Sequence, residues 1–225
     1  MNRNYHALCA ILLAFVLILV MCSQFVKDTF AKASTEKVIY LTFDDGPCDR
    51  VTPKILDILK EENVKATFFI VGSAAKSRKH LLEREVAEGH TVAVHSYSHQ
   101  YGQIYSSVEN LLDDIDKCNE VIKSVTGSYS NIYRFPGGSF GLSDKLISAV
   151  KEHGMKYVDW NASLCDAEYY AAPTEILYAN AIETSKGHDK VILLAHDSTT
   201  KTTTAEAIGD VIKYFKSQNY KFATF

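Results

Sequence analysis

An excess of charge of either sign is missing from this chain. Its 24 Lys and Arg stand against 27 Asp and Glu, a formal net charge of −3 over 225 residues. With no basic footprint, a nucleic-acid-binding surface is not expected. Cysteine is scarce: of five, Cys9 and Cys22 fall in an apolar N-terminal run, leaving Cys48, Cys118 and Cys165. So small and odd a set excludes a disulfide framework, with room for at most one bridge and a leftover thiol, and its spacing is not that of a zinc ribbon. Tryptophan occurs once, at Trp160. Internal repeats and low-complexity tracts are absent, which excludes solenoids and linker-like arrays. What is present is 47% hydrophobic content, enough at this length for one sizeable core.

The N-terminus stands apart. Arg3 precedes Ala7 to Cys22, a run without a charge. It reads as a signal segment or a membrane anchor, slightly short of the roughly 20 residues of a spanning helix. Export follows as the expectation, either secreted or anchored to the outer face of the cytoplasmic membrane. Ala31-Lys32-Ala33 is a distant cleavage candidate, and Leu19-Val20-Met21-Cys22 is a poor lipoprotein box because of Met21. Residues 1–36 are thus expected to be a leader plus linker, and 37–225 a single folded domain.

From Val38 onward strand and helix patterns alternate. Strands are expected at Val38–Phe43, Ala66–Val71, Thr91–Val94, Ile132–Phe135, Lys156–Asp159, Lys190–Ala195 and Tyr220–Thr224. Between them Thr52 is expected to cap a helix with Pro53 at its first position, Gly89 closes one, Leu111 to Ile122 marks a long amphipathic one, Ser143 caps another, and Pro173 and Thr204 begin the last two. Alternation of this kind implies parallel strands joined by helical crossovers. Continuous apolar strands such as Val191-Ile192-Leu193-Leu194 suit a sheet covered on both faces. The expected class is α/β, with seven strands suiting a barrel.

The chemistry-bearing residues gather at the C-terminal ends of these strands, where ligands bind in such folds. Asp44 and Asp45 follow the first strand, His95 and His99 the third, Asp159 and Trp160 the fifth, His196 and Asp197 the sixth, and Arg134 lies in the fourth. Adjacent carboxylates repel, so Asp44-Asp45 suggests one group on a cation and one handling protons; alone, Asp-Gly-Pro would be ordinary turn chemistry. His95-Ser96-Tyr97-Ser98-His99 places two imidazoles on one side of a helical turn. With Asp45 they form a three-ligand set with an open position, as a catalytic zinc needs, and no Cys belongs to it.

Five segments in order, Thr42-Phe43-Asp44-Asp45-Gly46-Pro47, His95-Ser96-Tyr97-Ser98-His99, Arg134-Phe135-Pro136-Gly137-Gly138, Asp159-Trp160 and Leu194-Ala195-His196, resemble the motifs of the polysaccharide deacetylases, the family of the NodB-homology domain and carbohydrate esterase family 4. Thr67-Phe68-Phe69 and Glu88-Gly89-His90 resemble its intervening sequence. The resemblance runs from about Lys37 to Phe225 and implies a distorted (β/α) barrel of about seven parallel strands. It implies Asp44 as general base, Asp45, His95 and His99 as ligands of one divalent ion (zinc first, then Co, Ni or Mn), and Arg134 as the residue orienting the base. It further implies His196 as general acid tuned by Asp159, Leu194 and Trp160 as the wall around the acetyl methyl, and the Gly137 N–H as oxyanion donor in the Pro136-Gly137-Gly138 segment. The third segment departs from the usual R-P-P-Y-G: Phe135 replaces a Pro and Gly137 a Tyr, so a side-chain wall is lost there.

The resemblance implies removal of N-acetyl groups from an extracellular polysaccharide by a monomer, with peptidoglycan ahead of chitooligosaccharides or acetyl-xylan. A non-catalytic wall-binding protein on the same fold is the alternative, to which Asp44 and His196 would be useless. His80, His90, His153 and His188 read as surface or loop residues. Tyr97, Tyr101, Tyr105, Tyr169 and Tyr170 read as half-buried aromatics, with stacking on sugar rings as the alternative, and Asp166 and Asp197 as groups around the site or without a role.

Overall fold

The computed structural model describes residues 16, 18–21 and 36–225. The chain divides into two units, Met1–Glu36 and Lys37–Phe225. In the first, Val16 and residues 18–21 are helical. Among the described residues no helix is long and apolar enough to cross a membrane. The rest of the leader, including Ala31-Lys32-Ala33 and Cys22, lies outside the described residues.

The second unit is one parallel sheet wrapped in helices. Its elements in order are β1 (Val38–Asp44), α1 (Thr52–Glu61), β2 (Thr67–Val71), α2 (Gly72–Ser77), α3 (Lys79–Ala87), β3 (Thr91–Ser96), α4 (Tyr101–Ile104), α5 (Val108–Thr126), β4 (Ile132–Tyr133), α6 (Asp144–Glu152), β5 (Lys156–Tyr157), β6 (Ala162–Ser163), α7 (Thr174–Ser185), β7 (Lys190–His196), α8 (Thr202–Ser217) and β8 (Lys221–Ala223). Seven strands run in the order β5-β4-β3-β2-β1-β7-β6, and β8 pairs with β1 off that path. Every pairing is parallel, as crossover helices require. β5 and β6 are joined by chain but not by hydrogen bonds, so the sheet curls without closing.

Strand β1 is the spine. It pairs with β7 along its whole length. On the other edge it pairs with β8 at Val38–Tyr40 and with β2 at Thr42–Asp44. Ile39, Leu41 and Phe43 are fully buried against one set of helices, and Thr42 points to the other face, also fully buried. Phe68, Phe69, Val94, Leu193 and Ala195 continue the core along the neighbouring strands. The long α5 is pinned at both ends: the Ser107 hydroxyl accepts from the Asn110 N–H, and Gly127 takes the left-handed φ of 79° that a C-terminal cap needs. Its buried Leu111, Ile115, Cys118 and Ile122 recur at helical spacing and face the sheet.

Three expectations shift. A strand at Ala162–Ser163 joins the sheet beside β7. Thr52 is the first residue of α1 and not its cap, because its hydroxyl is spent on Asp197 at 2.5 Å. Cys48, Cys118 and Cys165 are all free thiols, so the second unit carries no bridge.

Candidate active site

Parallel register brings the site together. Asp44 on β1 lies level with His196 on β7, and the Asp197 N–H donates to the Asp44 carbonyl at 3.1 Å. The adjacent strand ends therefore deliver two acid–base groups to one cavity. That cavity, about 400 Å³, is lined by Asp44, Asp45, His95, His99, Leu194 and His196 among others. Gly137, Trp160 and Tyr101 also face it. A groove of about 490 Å³ between α7 and α8, lined by Tyr178, Asp210 and Tyr214 among others, holds no comparable set of groups.

Asp44 is held from behind. Arg134, fully buried, donates through Nη1 to Asp44 Oδ1 at 2.8 Å and to the Thr42 hydroxyl at 2.8 Å. Its Nε donates to the Val158 carbonyl at 3.0 Å, and its guanidinium lies 4.1 Å over the Phe69 ring. One cation thus ties β1 to the segment after β5 and leaves Asp44 a paired carboxylate whose other oxygen is free for the cavity. Arg134 itself does not line the cavity.

Asp45, His95 and His99 offer ligand atoms that lie within 4.8 Å of one another. His95 Nε2 is 3.4 Å and His99 Nε2 3.0 Å from Asp45 Oδ1, yet that oxygen is buried without an aligned hydrogen-bond partner. His95 Nδ1 is 2.8 Å from the Arg134 carbonyl, an acceptor, so Nδ1 carries the proton and Nε2 presents its lone pair to the cluster. An orphaned carboxylate oxygen facing an imidazole lone pair fits a divalent cation. Burial works to raise the Asp45 pKa, but the two imidazoles, when protonated in the absence of a cation, outweigh it and hold the carboxyl far below the carboxylate range. Asp45 in turn raises the pKa of His99.

The two histidines are not on a helical turn. His95 is the penultimate residue of β3, and His99 lies in a loop with φ 57°. Asp114 of α5 makes that loop: its carboxylate accepts from the Ser96 hydroxyl at 2.5 Å and from the Tyr97 and Ser98 N–H groups at 2.8 and 3.0 Å. The Ser96 hydroxyl then accepts from the His99 N–H at 2.8 Å. The buried carboxylate turns the chain back so that both imidazoles reach Asp45.

The acid limb requires a correction. Asp159 does not meet His196; it accepts from the Ser139 N–H at 2.9 Å and from the Ser139 hydroxyl. His196 is paired with Asp166, Nδ1 to Oδ1 at 2.7 Å. The other Asp166 oxygen accepts from the His196 N–H at 2.9 Å and the Thr204 hydroxyl at 2.8 Å. Asp166 follows the two-residue β6, which pairs with Leu193 and Leu194, so a strand too short to show periodicity carries it to the sheet end. Burial lowers the His196 pKa, but Asp166, with smaller contributions from Asp44 and Asp45, raises it to about 9.

Phe135 to Gly138 form a turn, with the Gly138 N–H donating to the Phe135 carbonyl at 2.8 Å. Pro136 fixes its second position, and the third, at φ 78°, is one that glycine favours, so Gly137 answers a type II turn. Pro136 and Gly138 lie in that turn without lining the cavity. Leu194 and Trp160 supply apolar wall, with Trp160 packed edge-on to Phe140 at 5.8 Å.

The chain matches the model of the polysaccharide deacetylase family over residues 31–158. The chain belongs to this family. It is 32% identical over 193 residues, 84% of this chain and 69% of the other, to a peptidoglycan-N-acetylglucosamine deacetylase of Bacillus cereus. To the peptidoglycan-N-acetylmuramic acid deacetylase of Bacillus subtilis it is 34% identical, covering 87% and 73% of the two chains. A Listeria monocytogenes peptidoglycan-N-acetylglucosamine deacetylase is 36% identical over 86% of this chain, which spans only 39% of that longer protein. The crystal structure of the catalytic domain of a Eubacterium rectale peptidoglycan N-acetylglucosamine deacetylase superposes with a TM-score of 0.77 at 35% identity, over 87% of this chain and 94% of that one. The curled, largely seven-stranded parallel sheet is therefore the fold of this family.

Proposed function

We propose that this deacetylase is a divalent-metal-dependent hydrolase that releases acetate from N-acetylated amino sugars of peptidoglycan outside the cell. The observation that carries this reading is the pairing of Asp44 with His196 across one cavity, each backed by its own charged partner, Arg134 and Asp166. Relatives active on peptidoglycan supply the substrate class. The uncharged run from Ala7 to Cys22 supports export.

Amide hydrolysis needs an activated water, a stabiliser for the carbonyl oxygen and a proton for the departing nitrogen. Asp45, His95 and His99 would hold the cation, zinc before Co, Ni or Mn, which supplies Lewis-acid polarisation and makes water more acidic. Asp44 takes one proton from the attacking water, its free oxygen aimed into the cavity while Arg134 fixes the other. Gly137 lines the cavity, and its N–H would donate to the carbonyl oxygen as charge develops there. His196, kept cationic by Asp166, protonates the amine as the C–N bond breaks. The second proton of the water passes from the new carboxyl group to the amine, so acetate and the protonated amino sugar leave, and the proton taken by Asp44 returns to His196.

A protein that merely bound the wall would need neither proton acceptor nor proton donor. Acetate release from a panel of peptidoglycan, chitooligosaccharides and acetyl-xylan tests the reading. Release from peptidoglycan before the others is expected; release from none of them would overturn it.

A further inference from the structure

Gly137 leaves the cavity without a side chain where the family pattern has a tyrosine, and another tyrosine stands in that space. A Cβ placed on Gly137 would lie 3.0 Å from Tyr101 Cε1 and 3.3 Å from its hydroxyl. Tyr101 opens α4 on a different part of the chain, the loop that follows His99. Its ring meets the His99 imidazole edge-on, 5.3 Å between centroids at 89°, and the Tyr105 ring at 6.0 Å and 79°. The Tyr105 hydroxyl donates to the Pro136 carbonyl at 2.7 Å. A ladder of rings therefore joins the His99 loop to the Phe135–Gly138 turn. On the far side of the two glycines, a Cβ on Gly138 would lie 3.0 Å from Trp160. The turn separates Tyr101 from Trp160, and both rings face the cavity.

Tyr101 is 47% exposed. A ring braced along its edges and bare on part of its surface has apolar area to cover, and the C–H face of a pyranose is such a cover. We propose that Tyr101 is the specificity-determining wall for the sugar ring, supplied from α4 in place of a side chain at position 137. This rests on the deacetylase reading above. Gly137 and Tyr101 form one device on this view: the glycine satisfies the turn, and its missing side chain makes room for the ring.

The test compares two substrates that share the chemistry but not the sugar: an N-acetylated chitooligosaccharide and 4-nitrophenyl acetate. In Tyr101→Ala, kcat/KM on the oligosaccharide should fall about ten-fold relative to that on the ester, with most of the change in KM. Tyr101→Phe should keep most of the oligosaccharide activity. Equal losses on both substrates, or no loss on either, would overturn the proposal. No acetate release from any saccharide by the wild-type protein would instead overturn the deacetylase reading and this wall with it.

A second measurement does not depend on turnover. Gly137→Ala should lower the Tm more in the wild-type background than in Tyr101→Ala, because backbone strain at φ 78° is common to both and only one retains the ring. Additive losses would show that the ring does not fill that space.

Discussion

His196, which borders the cavity, is paired with the carboxylate of Asp166, 2.7 Å between Nδ1 and Oδ1, outside the candidate metal cluster. The carboxylate accepts a hydrogen bond from Nδ1–H, which leaves Nε2–H to deliver a proton to the leaving group. Asp166 is itself 3% exposed and bound on its second oxygen, so it cannot swing away.

The pH dependence of the reaction should follow from this pair. His196 must be cationic, and its pKa of about 9 places the alkaline fall of kcat/KM near that pH. Asp166→Asn removes the main cause of the rise and should move the fall toward the ordinary imidazole value of about 6.5. Asp159→Asn should leave it where it is. Profiles of the three proteins on a soluble N-acetylated oligosaccharide decide the matter, and an alkaline limb that moves in Asp159→Asn alone would reverse the assignment.

The cluster of Asp45, His95 and His99 should bind about one divalent ion per chain, zinc for preference. A His95→Ala/His99→Ala double variant should emerge from dialysis with almost none. Elemental analysis of both proteins gives the answer directly; full occupancy in the double variant would place the ion elsewhere.

Asp44 and Arg134 should separate chemistry from stability. Asp44→Asn keeps the shape and removes the proton acceptor, so turnover should fall roughly 10²–10⁴-fold while metal stays bound. Arg134→Met leaves the 3%-exposed Asp44 carboxylate buried and unpaired, a loss of about 3–5 kcal/mol in denaturant unfolding. Asp44→Asn added to Arg134→Met should recover part of that loss. Strictly additive losses would mean that the two side chains are not coupled.

Asp197 sits behind the site with no such partner. Burial raises its pKa to about 7, the Asp45 and Asp44 charges add to the rise, and the Thr52 hydroxyl opposes it. A carboxyl that keeps its proton in the fold longer than in the unfolded chain makes stability decline as pH rises, here between about 3.8 and about 7. Above that window the loss is complete. The Tm advantage of Asp197→Asn over the wild type should therefore grow from pH 4 to pH 7 and then level off. Glu85, buried without a partner and also raised in pKa, is unchanged in the comparison. A difference that stays constant with pH would show Asp197 to be ionised throughout.

Much of the fold was legible because β1, β2, β3 and β7 are runs of five to seven residues flanked by turn residues. Their ends carry Asp44, Asp45, His95 and His196, which meet in space as the strand-end rule expects. What stayed hidden is short. β6 has two residues and α4 four, below the length at which periodicity speaks, and Asp166 and Tyr101 follow from them. The fork of Asp166 with His196 and Thr204 depends on contacts 30 and 38 residues apart. The loop between His95 and His99 reads as a helical turn in isolation, since nothing local announces that Asp114 will bind its backbone. Asp159 holds a place in the ordered motif, but its carboxylate is taken up by Ser139 and does not reach His196.

The position of β1 sets how the site comes apart. Because β1 is hydrogen-bonded on both edges, its amides should exchange with solvent only when the whole sheet opens. Asp44 therefore has the lifetime of the folded state itself. Tyr101, on a helix of four residues, and the stretch around Asp166, anchored by a strand of two, belong to smaller opening units. Warming or mild denaturant should thus erode grip on the sugar and proton delivery to the amine while the base is still in place, so that the enzyme loses selectivity before it loses structure.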